Sequence, residues 1–280
     1  MARLSVAVMA HRNRAHLVEG LVEQLGINDD QVVWDRHDNR WDTGRRAWEA
    51  HDPQATHHLV VQDDARVCRD LVPALEQGLD HVPAEAIVSP YVGTRRPMAA
   101  KVERAVATAR QADAAWIVMR GLNWGVSILA PVPVIPQMLP WCDRQTYPNY
   151  DRRIGRYFLE VLRWPTWCTW PSLIDHREVP SLCGHGGGRI AHDFLGEDIS
   201  ALDLDFSRGT VIMSTPGPAT ALAAPVPAAA ARRQNGRQRA ERLKLMRQQA
   251  IERRQAEARA RRETVQRRID ARRARTAGVS

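Results

Sequence analysis

The alternation within the first 65 residues constrains the fold more than any other feature of the chain. Residues 4–9 (Leu-Ser-Val-Ala-Val-Met) are a short apolar run, followed by the polar turn Ala10-His11-Arg12-Asn13-Arg14 and by Leu17, Leu21 and Leu25 at helical spacing. Gly26 is the stop signal for that helix. A second run over residues 31–34 ends at Asp35, a helix is expected around residues 44–50, and a third run, His57-His58-Leu59-Val60-Val61-Gln62, ends abruptly at Asp63-Asp64. Strand, helix, strand, helix, strand is the order of a parallel sheet with crossover helices, and it sets Asp35 and the Asp63-Asp64 pair at one rim. In such sheets ligands bind outside the carboxyl ends of the strands, so a site is expected there.

The pattern continues with helices over residues 71–79 and 101–111, strands over 86–89 and 115–119, and an apolar segment over 125–130. Helices are expected over 132–141 and 150–162, before a Trp-rich stretch over 164–170 leads to Pro171-Ser172-Leu173-Ile174-Asp175-His176. After Leu195 the pattern thins, and residues 216–231, rich in Pro and Ala, read as a linker. The expected organisation is one α/β domain over residues 1–215, with a mostly parallel sheet flanked by helices. The linker follows over 216–231, then an Arg-rich, helical or partly disordered tail over 232–280.

Charge is divided the same way. Residues 232–275 hold 17 Lys and Arg against 5 Asp and Glu, a net +12, which leaves 23 basic and 27 acidic residues elsewhere, a body of net −4. The high pI is therefore a property of the tail, which would dock on an acidic protein surface or a nucleic acid. The four cysteines are widely spaced with no Cys-x-x-Cys pair, against a zinc knuckle or a redox motif. No apolar run approaches the ~20 residues of a membrane helix, and the expected location is the cytoplasm.

Adjacent carboxylates repel one another unless a cation or a hydrogen-bond network offsets the charge. At Asp63-Asp64 one reading is a divalent metal site; the other is a solvated strand end, or a helix cap ahead of Leu71. An acidic strand end, a second acid at an earlier strand end and a downstream His form the arrangement of a nucleotide-sugar transferase of the GT-A type. There Mn²⁺ or Mg²⁺ offsets charge on a departing nucleoside diphosphate without a proton. Neither a Walker A sequence nor a G-x-G-x-x-G after a strand is present, against a P-loop enzyme or a dehydrogenase. Gly184-His185-Gly186-Gly187-Gly188-Arg189 is not a lipase loop, because the chain has no G-x-S-x-G elbow. It reads as a loop closing over a donor, or as a plain linker.

Trp41-Asp42-Thr43-Gly44-Arg45-Arg46-Ala47-Trp48, the run from His57 to Ala65, the segment ending at Asp175-His176, and Gly184-His185 together resemble glycosyltransferases of actinobacteriophages and related bacteria. More distantly they are similar to lipooligosaccharide galactosyltransferases, whose acidic strand end is Glu-Asp-Asp; Gln62 replaces the first acid here. The resemblance spans residues 4–196 and leaves the tail uncovered. It implies Asp64 as a metal ligand, Asp63 on the ribose or a metal-bound water, and His176 completing the metal shell, or else a satisfied loop histidine. Asp35 would accept hydrogen bonds from the nucleobase or ribose, or act as a helix cap. Arg12 or Arg14, and Arg45 or Arg46, could reach the diphosphate through their guanidinium forks, or form surface ion pairs. His185 and Arg189 would touch phosphate.

On the acceptor side, Trp124, Trp141, Tyr147, Tyr150, Trp164, Trp167 and Trp170 would stack on a sugar or a base, or fill a core. Asp151 is the nominated general base, or a carboxylate favoured by a helix N-terminus. The expected activity is transfer of a hexose from a nucleotide sugar, a UDP-sugar first, to a hydroxyl on a phage virion protein or an envelope glycan. The rivals are a glycosyltransferase acting on modified DNA bases and a non-enzymatic nucleic-acid or assembly protein on a degenerate α/β scaffold.

Overall fold

The computed structural model describes residues 2–94, 99–179, 182, 189–213 and 220–222. Its centre is the expected alternation: β1 (Leu4–Ala10) pairs in parallel with β2 (Val32–Trp34) on one side and with β3 (His57–Gln62) on the other. The crossovers are α1 (Ala15–Leu25) and α2 (Arg40–Glu49). Gly26 ends α1 in the left-handed conformation, φ 64°, its N–H donating to the Glu23 and Val22 carbonyls. Helix α2 begins at Arg40, before the expected residue 44, because the Asn39 side chain accepts from the Trp41 and Asp42 amides and so nucleates the turn earlier.

The remaining elements are β4 (Ala65–Val67), α3 (Leu71–Gly78), β5 (Ile87–Ser89), α4 (Ala99–Ala112), β6 (Trp116–Met119), β7 (Ser127–Pro131), α5 (Ile135–Asp143), α6 (Tyr150–Arg156), β8 (Thr166–Thr169), β9 (Ile174–His176), β10 (Thr210–Ile212) and β11 (Thr220–Leu222). The main sheet has the order β11-β10-β6-β8-β5-β7-β3-β1-β2. Its pairings set six strands in one sense and β7, β6 and β10 in the other, a mixed rather than a wholly parallel sheet. An apolar run carries no mark of its direction, which is why the sequence does not announce these reversals. Strand β9 belongs with β4 to a separate antiparallel ribbon that places His176 opposite Ala65. The helix expected over 150–162 has two parts, α6 and a π-helical turn over Tyr157–Leu162. The stretch after Leu195 holds β10, which pairs in parallel with β6.

Both faces of the central strands are covered. Ala7, Met9, Val60, Ile128 and Ala130 pack with Trp41 and Trp48 of α2, Ile135 and Met138 of α5, and Ile154, Tyr157 and Phe158. The alternate residues Val6, Val8, Leu59 and Val61 are buried as well, so β3 reads as a continuous apolar run. His58 is tolerated inside it because Ala47 O lies 2.9 Å from its Nε2 and Ser5 Oγ 2.7 Å from its Nδ1. Cys68, Cys142 and Cys168 are buried. Among the described residues no helix is long and apolar enough to cross a membrane. The linker outside β11 and the whole tail over 232–280 lie outside the described residues.

Candidate functional site

The chain leaves β1 to form β2 on one side and returns to form β3 on the other, so a crevice opens between neighbouring carboxyl ends. A cleft of about 960 Å³ lies there. Of the residues expected from sequence it is lined by Arg14, Asp35, Asp63, Asp64, Asp151, His176 and Arg189. Because β7 runs antiparallel, Ser127 pairs with Val61, and the Trp124-Gly125-Val126 approach to that strand joins the same cleft.

Asp63 and Asp64 follow β3 directly and are almost wholly buried. Asp63 Oδ2 accepts the His11 amide at 2.7 Å, and its Oδ1 accepts Arg14 Nη1 at 3.0 Å. The same Arg14 nitrogen lies 2.5 Å from Asp64 Oδ2, which also faces His176 Nε2 at 3.1 Å. Among the described residues Asp64 Oδ1 is buried with no hydrogen-bond partner. Burial and then the charge of Asp64 push the Asp63 carboxyl above the usual range. At Asp64 burial acts in the same direction, but His176 and Arg14 outweigh it and hold the group low. His176 is raised despite its burial, through Asp64 and the Arg177 carbonyl. Its Nδ1 is 2.8 Å from that carbonyl and its Nε2 faces the carboxylate, so both nitrogens meet acceptors, which favours the protonated ring.

Asp35 ends β2. Its Oδ1 accepts the His37 and Asp38 amides at 3.0 and 2.6 Å, and its Oδ2 accepts the Thr43 hydroxyl at 2.8 Å. Burial pushes its pKa up, but these bonds outweigh it and the group lies low. The early start of α2 brings Thr43 to Asp35 and sets Arg40 on the cleft, 2.6 Å from Asn149 Oδ1. Asp151, in the first turn of α6, is raised by burial. A Cβ on Gly125 would come within 2.6 Å of the Asp151 Cβ, so the absence of a side chain there makes room for this carboxylate.

Arg45 and Arg46 turn away from the cleft. Arg45 pairs with Asp143 at 3.0 Å and with Glu49, while Arg46 pairs with Asp42 at 3.0 Å and bonds the Trp34 carbonyl. Arg12 is exposed and off the cleft. His185 lies outside the described residues. Trp124 is not exposed but buried, set edge-on against Tyr91, and both line the cleft. Tyr150 also lines it, donating its hydroxyl to the Gly125 carbonyl. Trp170 and Trp164 pack in or against the core, and Tyr147 is covered by the Arg152 and Arg156 guanidiniums. Sequence reasoning did not single out Tyr91, Arg40, Thr43 or Arg177. The Asn39 cap, which predicts the phase of α2, was the available signal for two of them.

Neither a protein-family model nor a curated protein matches the chain. The chemistry of the cleft therefore rests on its own residues. Among the described residues no three His, Cys, Asp or Glu side chains form a ready cage for a metal ion. Mg²⁺ and Mn²⁺ do not require one, since they are commonly held by one or two carboxylates and completed by substrate phosphates. The oxygen-rich pair, the nearby imidazole and the unpartnered Asp64 Oδ1 fit that half-site. Arg14 in its observed position does not fit beside it: a cation ~4 Å from the guanidinium meets about 4 kcal/mol of repulsion per unit charge at an effective dielectric of ~20.

Proposed function

We propose that the chain is a GT-A-like, metal-dependent glycosyltransferase that moves a sugar from a nucleotide-sugar donor to an acceptor hydroxyl. The observation that carries this reading is the convergence on one cleft of two acidic stations, Asp35 and Asp63-Asp64, at the ends of the two strands that flank β1, with a separate, protonation-prone carboxylate, Asp151. In this reading Asp35 and Thr43 receive the nucleoside, and Arg14 and Arg189 bind the diphosphate through their guanidinium forks. Asp64 and His176 would hold Mn²⁺ or Mg²⁺, with Asp63 bonded to the ribose or a coordinated water; the bound ion would neutralise charge on the leaving diphosphate. Binding there requires His176 to release its Nε2 proton. The Tyr91 and Trp124 rings supply an apolar wall for the sugar. Asp151 takes the proton of the attacking hydroxyl, its raised pKa making it a stronger base than an exposed aspartate.

The acceptor is a hydroxyl of a protein or glycan, such as a virion protein or envelope polymer. The +12 tail supports a second reading in which the acceptor is nucleic acid and the tail supplies phosphate contacts. The decisive experiment incubates the full chain with Mn²⁺ and a panel of nucleotide sugars, UDP-sugars first, and measures nucleoside diphosphate release. One donor should be turned over, with release lost in Asp64→Asn. Asp151→Asn should lower transfer to an acceptor by about 10²–10⁴-fold while the nucleotide still raises the melting temperature. Silence across the panel, with no thermal shift from any donor, would replace this reading with the binding-protein one.

A further inference from the structure

We infer that the acceptor is a saccharide carrying a carboxylate or a phosphate beside the attacked hydroxyl, held by a collar of four arginines, Arg40, Arg152, Arg153 and Arg156, around Tyr147 and Asn149. The inference rests on the glycosyltransferase reading and names the class of acceptor for it.

The collar is built on the segment that enters α6, the helix bearing Asp151. Arg40 donates from Nη1 to Asn149 Oδ1 at 2.6 Å. Arg152 lies over the Tyr147 ring, its Cζ 4.0 Å from the centroid, while Arg156 lies over the same ring at 4.8 Å and also donates to the Tyr147 hydroxyl. Arg153 donates to the Tyr147 and Cys142 carbonyls and covers the Trp41 ring at 4.9 Å. Rings and carbonyls orient a guanidinium without neutralising it. Among the described residues Glu160, on Arg156 at 2.6 Å, is the one carboxylate in ion-pair contact with any of the four. Arg45 and Arg46, on the same helix as Arg40, are instead each set on carboxylates. Four positive charges against one negative form a local excess on a body of net −4, and such an excess draws an anion.

The position of the collar decides what the anion belongs to. Arg40 and Asn149 line the cleft together with Asp151, whereas Arg152 is exposed beside it. The Arg40 charge reaches Asp151 and draws its pKa down against burial. An anion seated on Arg40 therefore brings the rest of its molecule to the carboxylate that takes the acceptor proton. A guanidinium matches a carboxylate or a phosphate with two parallel bonds, so a sugar acid needs nothing more than the charge and the fork. A nucleic acid is less well served. Sites for unpaired strands add aromatic faces on which bases stack, and the ring of the collar, Tyr147, already carries two guanidiniums.

The test measures, by isothermal titration calorimetry on the full-length protein, the binding of four probes of equal length: tetragalacturonate for the carboxylate, a maltotetraose phosphate for the phosphate, neutral maltotetraose, and a thymidine tetranucleotide. Wild type is compared with the double variants Arg40→Gln, Arg152→Gln and Arg40→Lys, Arg152→Lys. The basic tail is the same in all three, so differences between them report the collar. One anionic tetrasaccharide should bind wild type about tenfold or more tighter than maltotetraose, as expected of charge-assisted hydrogen bonds. Which one shows the preference tells a carboxylate from a phosphate. The double Gln variant should lose most of that preference, and the double Lys variant should keep part of it. Equal behaviour of the anionic and neutral saccharides, binding or not, overturns the inference, as does a preference unchanged in the double Gln variant. Tighter binding of the tetranucleotide than of either sugar acid, lost in the double Gln variant, replaces the saccharide with a nucleic-acid acceptor. A collar-dependent preference in a protein that releases nucleoside diphosphate from no donor removes the glycosyltransferase reading while the anion site stands; donor turnover without any such preference removes the inference alone. If the double Gln variant does not fold, Arg152→Gln, at an exposed side chain, takes its place.

Discussion

Among single residues His58 illustrates how a titratable group is accommodated in a strand core. Burial lowers its pKa from 6.5 to about 4, while the Ala47 and Ser5 contacts fix the neutral tautomer. The sign follows from proton counts: between those two pKa values the unfolded chain binds a proton that the folded chain does not, so stability rises with pH across that window and is lost on acidification through it. The group's contribution to that slope is on the order of 3 kcal/mol. Urea unfolding midpoints at pH 4.5 and pH 7 should therefore converge in His58→Gln relative to wild type, though the variant is less stable at pH 7 because it loses packing and two hydrogen bonds; an unchanged pH slope would refute this. Legibility at this scale follows chemistry that is local. The acids at Asp35 and Asp63-Asp64 could be located because an apolar run that stops at a carboxylate marks a strand end. The arginines could not be sorted, since direction depends on helical phase: with α2 starting at Arg40, Arg45 and Arg46 meet Asp143 and Asp42 instead of the cleft.

Among elements, the β4–β9 ribbon governs where His176 stands. It is tied down through Glu197, which accepts from Arg66 at 3.2 Å and from Arg177 at 3.0 Å, while Arg66 also reaches Asp175 at 3.3 Å and Asp175 accepts the Ala191 amide at 2.6 Å. Charge-assisted hydrogen bonds contribute about 1.5–3 kcal/mol each. Glu197→Gln should speed amide exchange in residues 174–177 by tenfold or more, with the far-ultraviolet circular dichroism unchanged. Exchange at the wild-type rate would mean that β-ladder pairing alone holds the ribbon. Neither β4 nor β10 was legible in the sequence. Each is only three residues long with a partner far along the chain, and neither sits in the strand–helix alternation that marks the equally short β2. The longer elements α1, β1 and β3 were legible because their patterns run for six residues or more.

For the whole molecule, charge is partitioned between a mildly acidic body and a strongly basic tail. If the acceptor is nucleic acid, the full chain should bind duplex DNA with an affinity that falls on the order of 10³-fold between 50 and 200 mM salt, as for about six phosphate contacts. Deleting residues 232–280 should abolish that binding in fluorescence anisotropy and leave donor hydrolysis intact. Salt-insensitive or absent DNA binding by the full chain would direct the tail to an acidic protein surface instead. The class of the fold was legible at this scale from the alternation alone, whereas the strand reversals depend on pairings far apart in the chain. The reversal of β7 has a consequence for how such a molecule can diversify. It brings the loop encoded after residue 120 beside the ends of β1, β2 and β3, which come from the first 62 residues. On the proposed reading, the nucleoside pocket at Asp35 and Thr43 and the Trp124 wall for the sugar are written in separate stretches of the gene. Either stretch can then be recombined or can drift while the other is held constant.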